Sequence, residues 1–214
     1  MWPSGRDSQT APGTLSDMSA TTSFRSMDES TAEQWMAIGV ETAKNQPRVA
    51  DRVLGLLRSL AEITDGFATD QLTHCLQTAT RAERDGADDE VVVASLCHDI
   101  GKAVSVPGHP QIAAAILQPY VRPEVHAMIL VHQDFQGAHY YHHFGGDPKA
   151  REQHRDELTP EEFELAARFA DDWDQTSFDP DYDTLPLEHF EDKVRAVFAS
   201  AIIVPPKSGA RYTD

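Results

Sequence analysis

Hydrophobic residues recur with the period of an α-helix along most of this chain. Between Val49 and Leu60 the apolar positions fall at i, i+4, i+7, i+8 and i+11, which places them on one face of a helix. Residues 88–99 are apolar nearly all round, which predicts a central helix that is buried on every side. Because no segment alternates apolar and polar residues over the length of a strand, the pattern predicts an all-α fold, a single helical bundle.

Turn-forming and capping residues divide this pattern into separate helices. Ser30 and Glu33 have the spacing of a capping box, and a helix through Trp35 and Ile38 is predicted to follow them. The other helices are predicted over residues 49–60, 69–84, 88–99, 109–120, 123–133, 160–174 and 186–199. The stretch 134–159 is predicted to be irregular.

The ends of the chain differ in composition from its middle. Residues 1–28 are rich in Ser, Thr, Gly and Pro, which predicts a disordered extension before a folded domain over 29–203. Residues 204–214 are expected to form a flexible tail. The first residues lack the apolar segment of a secretory signal, and the two cysteines, Cys75 and Cys97, suit a reducing compartment. We therefore expect a cytoplasmic protein.

Charge and hydropathy exclude two classes of partner. The 18 Lys and Arg against 35 Asp and Glu give a net charge of −17, which leaves no basic surface for a nucleic acid. No run approaches the roughly 18–20 apolar residues of a membrane span. The expected partner is a small-molecule substrate, and the oligomeric state, monomer or homodimer, stays open.

Histidine is the unusual feature of the composition, with ten residues, most of them between 74 and 143. His98 and Asp99 are adjacent at the end of the predicted central helix, where an imidazole and a carboxylate side by side can hold one metal ion or bridge two. The alternative is a hydrogen-bonded histidine at a capped helix end. His132 lies on the apolar face of its helix, and Asp174 continues the inward stripe of another. A buried carboxylate needs a strong partner, either a metal ion or a buried arginine such as Arg81.

Six inward residues are the candidate metal ligands. They are His74, His98, Asp99, His109, His132 and Asp174. Two ions bridged by Asp99 would use all six, with His74, His98 and Asp174 on one ion and the other two histidines on the second. Nitrogen and oxygen donors without thiolate suit iron or manganese, and zinc is also possible.

The order of these residues resembles that of the HD-domain superfamily of all-α metalloenzymes, over roughly residues 60–195. Segments 71–79 and 85–88, and the pair Trp173-Asp174 followed by 187–190, resemble the branch of mixed-valence diiron oxygenases that degrade phosphonates, which is related to inositol oxygenase. The resemblance implies a dinuclear Fe(II)/Fe(III) site and O₂ as co-substrate. It implies oxidative cleavage of the C–P bond of a 1-hydroxyphosphonate, with release of phosphate.

The resemblance also implies roles for individual residues. The substrate would chelate the iron held by His98, Asp99 and Asp174, with O₂ at the other iron, and His98 and Asp99 are the expected catalytic residues. Lys102 is placed to meet an anionic oxygen, or else it is a surface lysine at a helix end. The predicted substrate contacts are Lys102, Gln136, Tyr140, Tyr141, Asp171 and Phe67.

This chain departs from the phosphonate branch at the expected substrate head. Residues 66–68 read Gly-Phe-Ala where the branch has a Tyr/Glu lid, and Gln136 and Asp171 stand where basic residues are expected. A trimethylammonium head is one explanation, since aromatic rings, including Phe144 and Trp173, could bind it by cation–π attraction beside Asp134 or Asp171. The alternative is that these aromatic residues pack a loop.

A metal-dependent phosphohydrolase or phosphodiesterase is the alternative enzyme. Residues 98–102 and His109-Pro110 also occur in the cyclic-dinucleotide phosphodiesterase branch of the superfamily, but the Gly-Tyr-Pro signature expected after His132 is absent. A non-catalytic binding module is a third hypothesis, which the complete set of six candidate ligands disfavours.

Overall fold

The computed structural model describes residues 23–199 and 201 of the chain. All regular secondary structure within these residues is helical, and none of it is strand, so the all-α prediction is confirmed. The chain divides into two compact units, Met1–Gln46 and Pro47–Asp214. None of the described helices is long and apolar enough to cross a membrane.

The first unit contains a single described α-helix, α1 (Ala32–Ala43). The predicted capping box is one residue off, because the cap is Thr31, which pairs with Gln34. The hydroxyl of Ser30 has other partners, since it donates to the carbonyl of Met27 and accepts from the Trp35 indole at 2.7 Å. Residues 1–22 of the predicted extension lie outside the described residues, as do 202–214. The boundaries 29–203 and 204–214 stay predictions.

The second unit contains the remaining described α-helices. They are α2 (Val49–Ser59), α3 (Gln71–Arg84), α4 (Asp89–Cys97), α5 (His109–Leu117), α6 (Pro123–Tyr140), α7 (Pro160–Arg168) and α8 (Leu187–Val197). Four 3₁₀ turns lie among them, at Leu60–Glu62, Ile100–Ala103, Tyr141–Phe144 and Ala150–Asp156, and a fifth, Gln46–Arg48, begins at the last residue of the first unit.

Helix α4 is the predicted central helix. The carboxylate of Asp88 accepts from the backbone N–H groups of Glu90 and Val91 and starts the helix, and every residue from Val91 to Cys97 is buried. It packs against α3, α6 and α8. The C-terminal end of α4 therefore delivers the following residues into the interior of the bundle.

The prediction of an irregular stretch over 134–159 is wrong for its first part, where residues 134–140 are α-helical. Helix α6 continues to Tyr140 because the Phe135 side chain is fully buried and meets the ring of Phe163 on α7. Gly137 is tolerated within the helix because the ring of Tyr141 packs so closely that a Cβ atom would lie 2.5 Å from it. These stabilising contacts are long-range or depend on a later turn, and the local pattern does not show them.

The predicted helix 160–174 changes its winding part-way. It is α-helical to Arg168 and then continues as a π-helical turn over Phe169–Asp174. The turn nevertheless leaves Asp174 fully buried and Asp171 partly exposed, as the inward stripe predicted. Short π-helical segments are frequent at functional sites, and this one ends at a candidate ligand.

Candidate metal centre

The structure brings all six predicted ligands together in the interior of the second unit. His74 lies in α3, and His98 and Asp99 directly follow α4. His109 begins α5, His132 lies in α6, and Asp174 ends the π-helical turn. All six are buried, with His109 the most exposed at 5 %. Five separate segments of the fold thus converge on one point.

The first group of ligand atoms surrounds His74 and His98. Their Nε2 atoms are 3.0 Å apart, and Asp174 Oδ1 lies 3.1 Å from that of His74 and 3.6 Å from that of His98. Oδ2 of Asp99 lies 3.6 and 3.5 Å from the same two nitrogens. Two nitrogens and two carboxylate oxygens therefore face a common point.

The second group shares Asp99 with the first. The Nε2 atoms of His109 and His132 are 3.2 Å apart. Oδ1 of Asp99 lies 3.0 Å from the first and 3.7 Å from the second. Asp99 therefore offers one oxygen to each histidine pair, as the predicted bridging role would require.

Backbone carbonyls determine which nitrogen of each histidine carries the proton. The Nδ1 atoms of His74, His98, His109 and His132 lie 2.9, 2.8, 2.9 and 2.6 Å from the carbonyl oxygens of Ser177, Ser95, Val106 and Ile129. A carbonyl oxygen can only accept, so each Nδ1 is the donor. In the neutral imidazole this leaves the Nε2 lone pair directed at the centre, as metal ligation requires.

The chemistry of these atoms fits bound cations. The lone pairs of paired Nε2 atoms face each other, and Oδ1 of Asp99 and Oδ1 of Asp174 are buried without a hydrogen-bond partner. Leaving such oxygens unsatisfied costs free energy, which a cation between the donors would recover. The atoms of His74, His98 and Asp99, and those of Asp99, His109 and His132, are close enough together to hold an ion.

Both carboxyl groups are held in the ionised form. Burial acts to raise their pKa values, but the nearby histidines outweigh it. Positive charge and N–H donation from protonated imidazoles lower the pKa of Asp174 to about 2 and that of Asp99 well below its usual range, and a bound cation would take over this role when the imidazoles are neutral ligands. Burial also raises the pKa of the Cys97 thiol to about 12, so this cysteine stays a neutral packing residue. The available donors are thus imidazole nitrogens and carboxylate oxygens.

Comparison with known proteins agrees with this geometry. The family model of the HD domain matches residues 71–179, a range that contains all six candidate ligands. The chain belongs to the HD domain family. No curated protein matches it. HD domain proteins are generally metal-dependent enzymes of hydrolase or oxygenase type, and this chain is expected to be one.

A cavity of about 680 Å³ opens onto the metal centre of this HD domain. His74, Asp99 and His109 form part of its wall, so the candidate ligands are accessible to a small molecule. Phe67 and Phe144, which are 49 % and 83 % exposed, also line the cavity. The cavity thus combines ionic groups at the metal centre with exposed aromatic rings.

Four of the six predicted substrate contacts line this cavity: Lys102, Gln136, Tyr140 and Phe67. Lys102 is not a surface lysine, since only 14 % of its side chain is exposed. Its Nζ donates to Asp99 Oδ2 at 2.6 Å and to Gln71 Oε1 at 3.0 Å. The ammonium group therefore lies between the cavity and the shared carboxylate.

The other two predicted contacts, Asp171 and Tyr141, are not among the residues that line the cavity. Arg151 donates to both oxygens of Asp171, at 2.8 and 2.9 Å, and His139 lies 2.8 Å from one of them. Tyr141 donates to Asp134, which also accepts from Gln153. Asp171 and Asp134, one of which was expected beside a cationic substrate, are thus bonded to other side chains and are not among the residues that line the cavity.

The contacts of Arg81 and Trp173 decide two further alternatives, an ion pair with Asp174 and an aromatic contact with the substrate. Arg81 does not pair with Asp174, because its guanidinium donates to the carbonyl of Thr176 and stacks 3.9 Å from the ring centre of Tyr182. Trp173 is buried and donates to Asp85 at 3.1 Å, so its ring is not offered to a ligand in the cavity.

Phe178 is among the residues lining the cavity that the sequence did not predict. The ring of Phe178 stacks on the imidazole of His74 at 4.3 Å and on the ring of Phe67 at 4.9 Å, forming a row of three rings from the metal centre outward. Phe178 lies in a segment without helical periodicity, and no local signal links it to His74. It was beyond the reach of a pattern-based prediction.

Proposed function

We propose that this HD domain binds two iron ions and uses O₂ to cleave the C–P bond of a 1-hydroxyphosphonate. The observation that carries the proposal is Asp99, which offers one oxygen to each of two buried histidine pairs. A donor set of nitrogen and oxygen without thiolate suits iron. The likeness of segments 71–79 and 85–88 to the phosphonate oxygenases supports this branch over other members of the family.

The proposed reaction balances with O₂ alone. A 1-hydroxyphosphonate and one O₂ contain the atoms of one carboxylic acid and one phosphate, so no other reductant or oxidant is needed. The bound ions would supply Lewis acidity and the redox step. The chain's own residues have two roles. Lys102 places a positive charge beside an anionic oxygen of the substrate, and His98 and Asp99 orient the metal centre.

Exposed rings at the cavity suit a substrate with a trimethylammonium group. Phe67, Tyr140 and Phe144 line the cavity, and each ring that faces a cation contributes about 0.5–2 kcal/mol. Asp65 also lines the cavity and carries a carboxylate. This end of the cavity would distinguish substrates by their head group, while the metal centre selects for the hydroxyphosphonate.

A metal-dependent phosphohydrolase or phosphodiesterase is the second candidate. It is favoured by the segment 98–102, in which Lys102 contacts the shared carboxylate. Among the described residues that line the cavity, Lys102 is the only lysine or arginine. Substrates with several phosphates are usually held by more cations. The cavity therefore favours the oxygenase.

Reconstituted protein can separate the two functions. The purified chain would be loaded anaerobically with iron and analysed for metal content and for the electron paramagnetic resonance of a mixed-valence pair. Phosphate release from 1-hydroxyphosphonates would then be measured with and without O₂. The oxygenase is expected to consume one O₂ per phosphate and to be silent without it. Hydrolysis of a generic phosphate diester under anaerobic conditions, with no O₂ uptake on any hydroxyphosphonate, would establish the alternative.

A further inference from the structure

Gln136 lies between the cavity and the buried carboxylate of Asp174. Its side chain is half-buried in α6 and lines the cavity. The amide Nε2 donates a hydrogen bond to Asp174 Oδ2. A carboxylate can only accept, so the amide must present its nitrogen to Asp174.

The two oxygens of Asp174 consequently have different surroundings. Oδ2 is engaged by Gln136, whereas Oδ1 has no hydrogen-bond partner and lies 3.1 and 3.6 Å from Nε2 of His74 and His98. One oxygen is held by the wall of the cavity, and the other is left for the metal centre.

Asp99 is also held from the cavity wall, but at the oxygen that faces His74 and His98. Lys102, which also lines the cavity, donates to Oδ2 of Asp99 at 2.6 Å, and Oδ1 has no hydrogen-bond partner. Each acidic residue of the centre is therefore held at one oxygen by a side chain from the cavity wall. Gln136 differs from Lys102 in being neutral, so it orients a carboxylate without adding a positive charge beside the ions.

We propose that Gln136 is a positioning residue that restricts Asp174 to a single metal-binding oxygen. Without this donor, Oδ2 would be free to turn toward the centre and take a second coordination position on the same ion. The Gln136 amide thus keeps a position available for an oxygen of the substrate. The inference rests on the metal-binding part of the proposed function and is independent of iron, O₂ and turnover.

Cobalt substitution tests the inference without measuring activity. Gln136→Met keeps the length of the side chain and removes the donor. Gln133→Met is the matched control, since Gln133 is an amide that lines the same cavity one turn earlier and bonds to Tyr140. Affinity for Co²⁺ would be measured by calorimetry, and coordination by the visible absorption of the bound ion. Folding of each variant would be checked by circular dichroism.

The two substitutions are expected to differ. In Gln136→Met the visible absorption band of bound Co²⁺ should weaken, because this band weakens when the coordination number rises. The affinity for Co²⁺ should fall roughly tenfold, because a side chain that orients a metal ligand is lost. Gln133→Met should match the wild type in both. If Gln136→Met does not fold, Gln136→Asn, whose amide is one methylene shorter, should give the same change.

The possible failures are distinguishable. If the wild-type chain binds no Co²⁺, the metal-binding part of the proposed function is wrong. If it binds Co²⁺ and Gln136→Met leaves both band and affinity unchanged, the metal centre stands and the role of Gln136 is wrong. Equal changes in the two methionine variants would also overturn the inference, because they would trace the effect to the cavity wall rather than to Asp174.

Discussion

The backbone of Gly101 lies directly against the backbone of His109. A Cβ atom on Gly101 would lie 2.3 Å from the carbonyl oxygen of His109 and 2.8 Å from its Cα, which is closer than such atoms approach in proteins. Gly101 follows the shared ligand Asp99 by two residues, and His109 is a candidate ligand of the second ion. The absence of a side chain at position 101 therefore determines how closely the two ligand segments can pack.

Substitution of Gly101 by alanine is expected to disturb the second ion in particular. Backbone atoms cannot yield as a side chain does, so Gly101→Ala should lower the free energy of unfolding by about 1–3 kcal/mol. It should also reduce the bound metal toward one ion per chain. Thermal melts and metal analysis would measure both.

Gly55→Ala is the control for this substitution. Gly55 lies within α2, and a Cβ atom there would meet nothing within 4 Å. Alanine should stabilise this helix by roughly 0.5–1 kcal/mol and leave the metal content unchanged. A Gly101→Ala protein with wild-type stability and two bound ions would contradict the close packing of the two ligand segments.

Asp174 and Asp171 form a matched pair for testing the ligand set. Asp174→Asn retains the shape of the side chain but removes the charge of a fully buried candidate ligand, so metal bound by the first group should be lost. Asp171→Asn removes a charge three residues earlier, on a carboxylate already paired with Arg151, and metal content should stay unchanged. Elemental analysis of the two purified variants decides between them. Equal metal content in both would show that Asp174 is not a ligand.

Asp88 should contribute a pH-dependent part of the stability. Its hydrogen bonds from Arg122 lower its pKa below the ordinary value of 3.8, against the opposing effect of partial burial. A lowered pKa stabilises the folded state above the unfolded pKa, and this contribution disappears as the pH falls through the folded one. Unfolding measured between about pH 2 and 6 should therefore show a smaller loss of stability below about pH 4 in Asp88→Asn than in the wild type.

Arg122→Gln provides the second arm of the Asp88 experiment. Arg122→Gln should reduce the loss of stability at low pH to a similar extent, because it removes the group that lowers the pKa of Asp88. The double variant should add little to either single one. If both single variants lose as much stability at low pH as the wild type, this exposed pair does not contribute to the pH dependence of stability.

The effect of replacing Phe67 on KM should depend on the charge of the substrate's head group. If its exposed ring contacts a trimethylammonium group, Phe67→Ala should raise KM for such a hydroxyphosphonate roughly 2- to 30-fold, with little change in kcat. A tail ending in the uncharged tert-butyl group, which has the same shape, should be affected less. Equal effects on both tails would indicate apolar packing rather than cation–π attraction.

Local periodicity predicted most of the helices and the buried faces on which the candidate ligands lie. A helix repeats every 3.6 residues, so His132 and Asp174 could be assigned to buried faces by counting from neighbouring apolar positions. The same local information failed over 134–140, where α6 continues because Phe135 packs against a helix that comes later in the chain.

What the ligands bond to was decided by the tertiary structure. His74 and the carbonyl of Ser177 are 103 residues apart, and Gln136 and Asp174 are 38 apart, so no helical repeat relates them. The sequence by itself determined which residue types are present and which faces they occupy, because those follow from short-range geometry. Only the folded chain decided that Asp171 is paired with Arg151, that Lys102 holds Asp99 and that Phe178 covers His74, because each contact joins different segments of the fold.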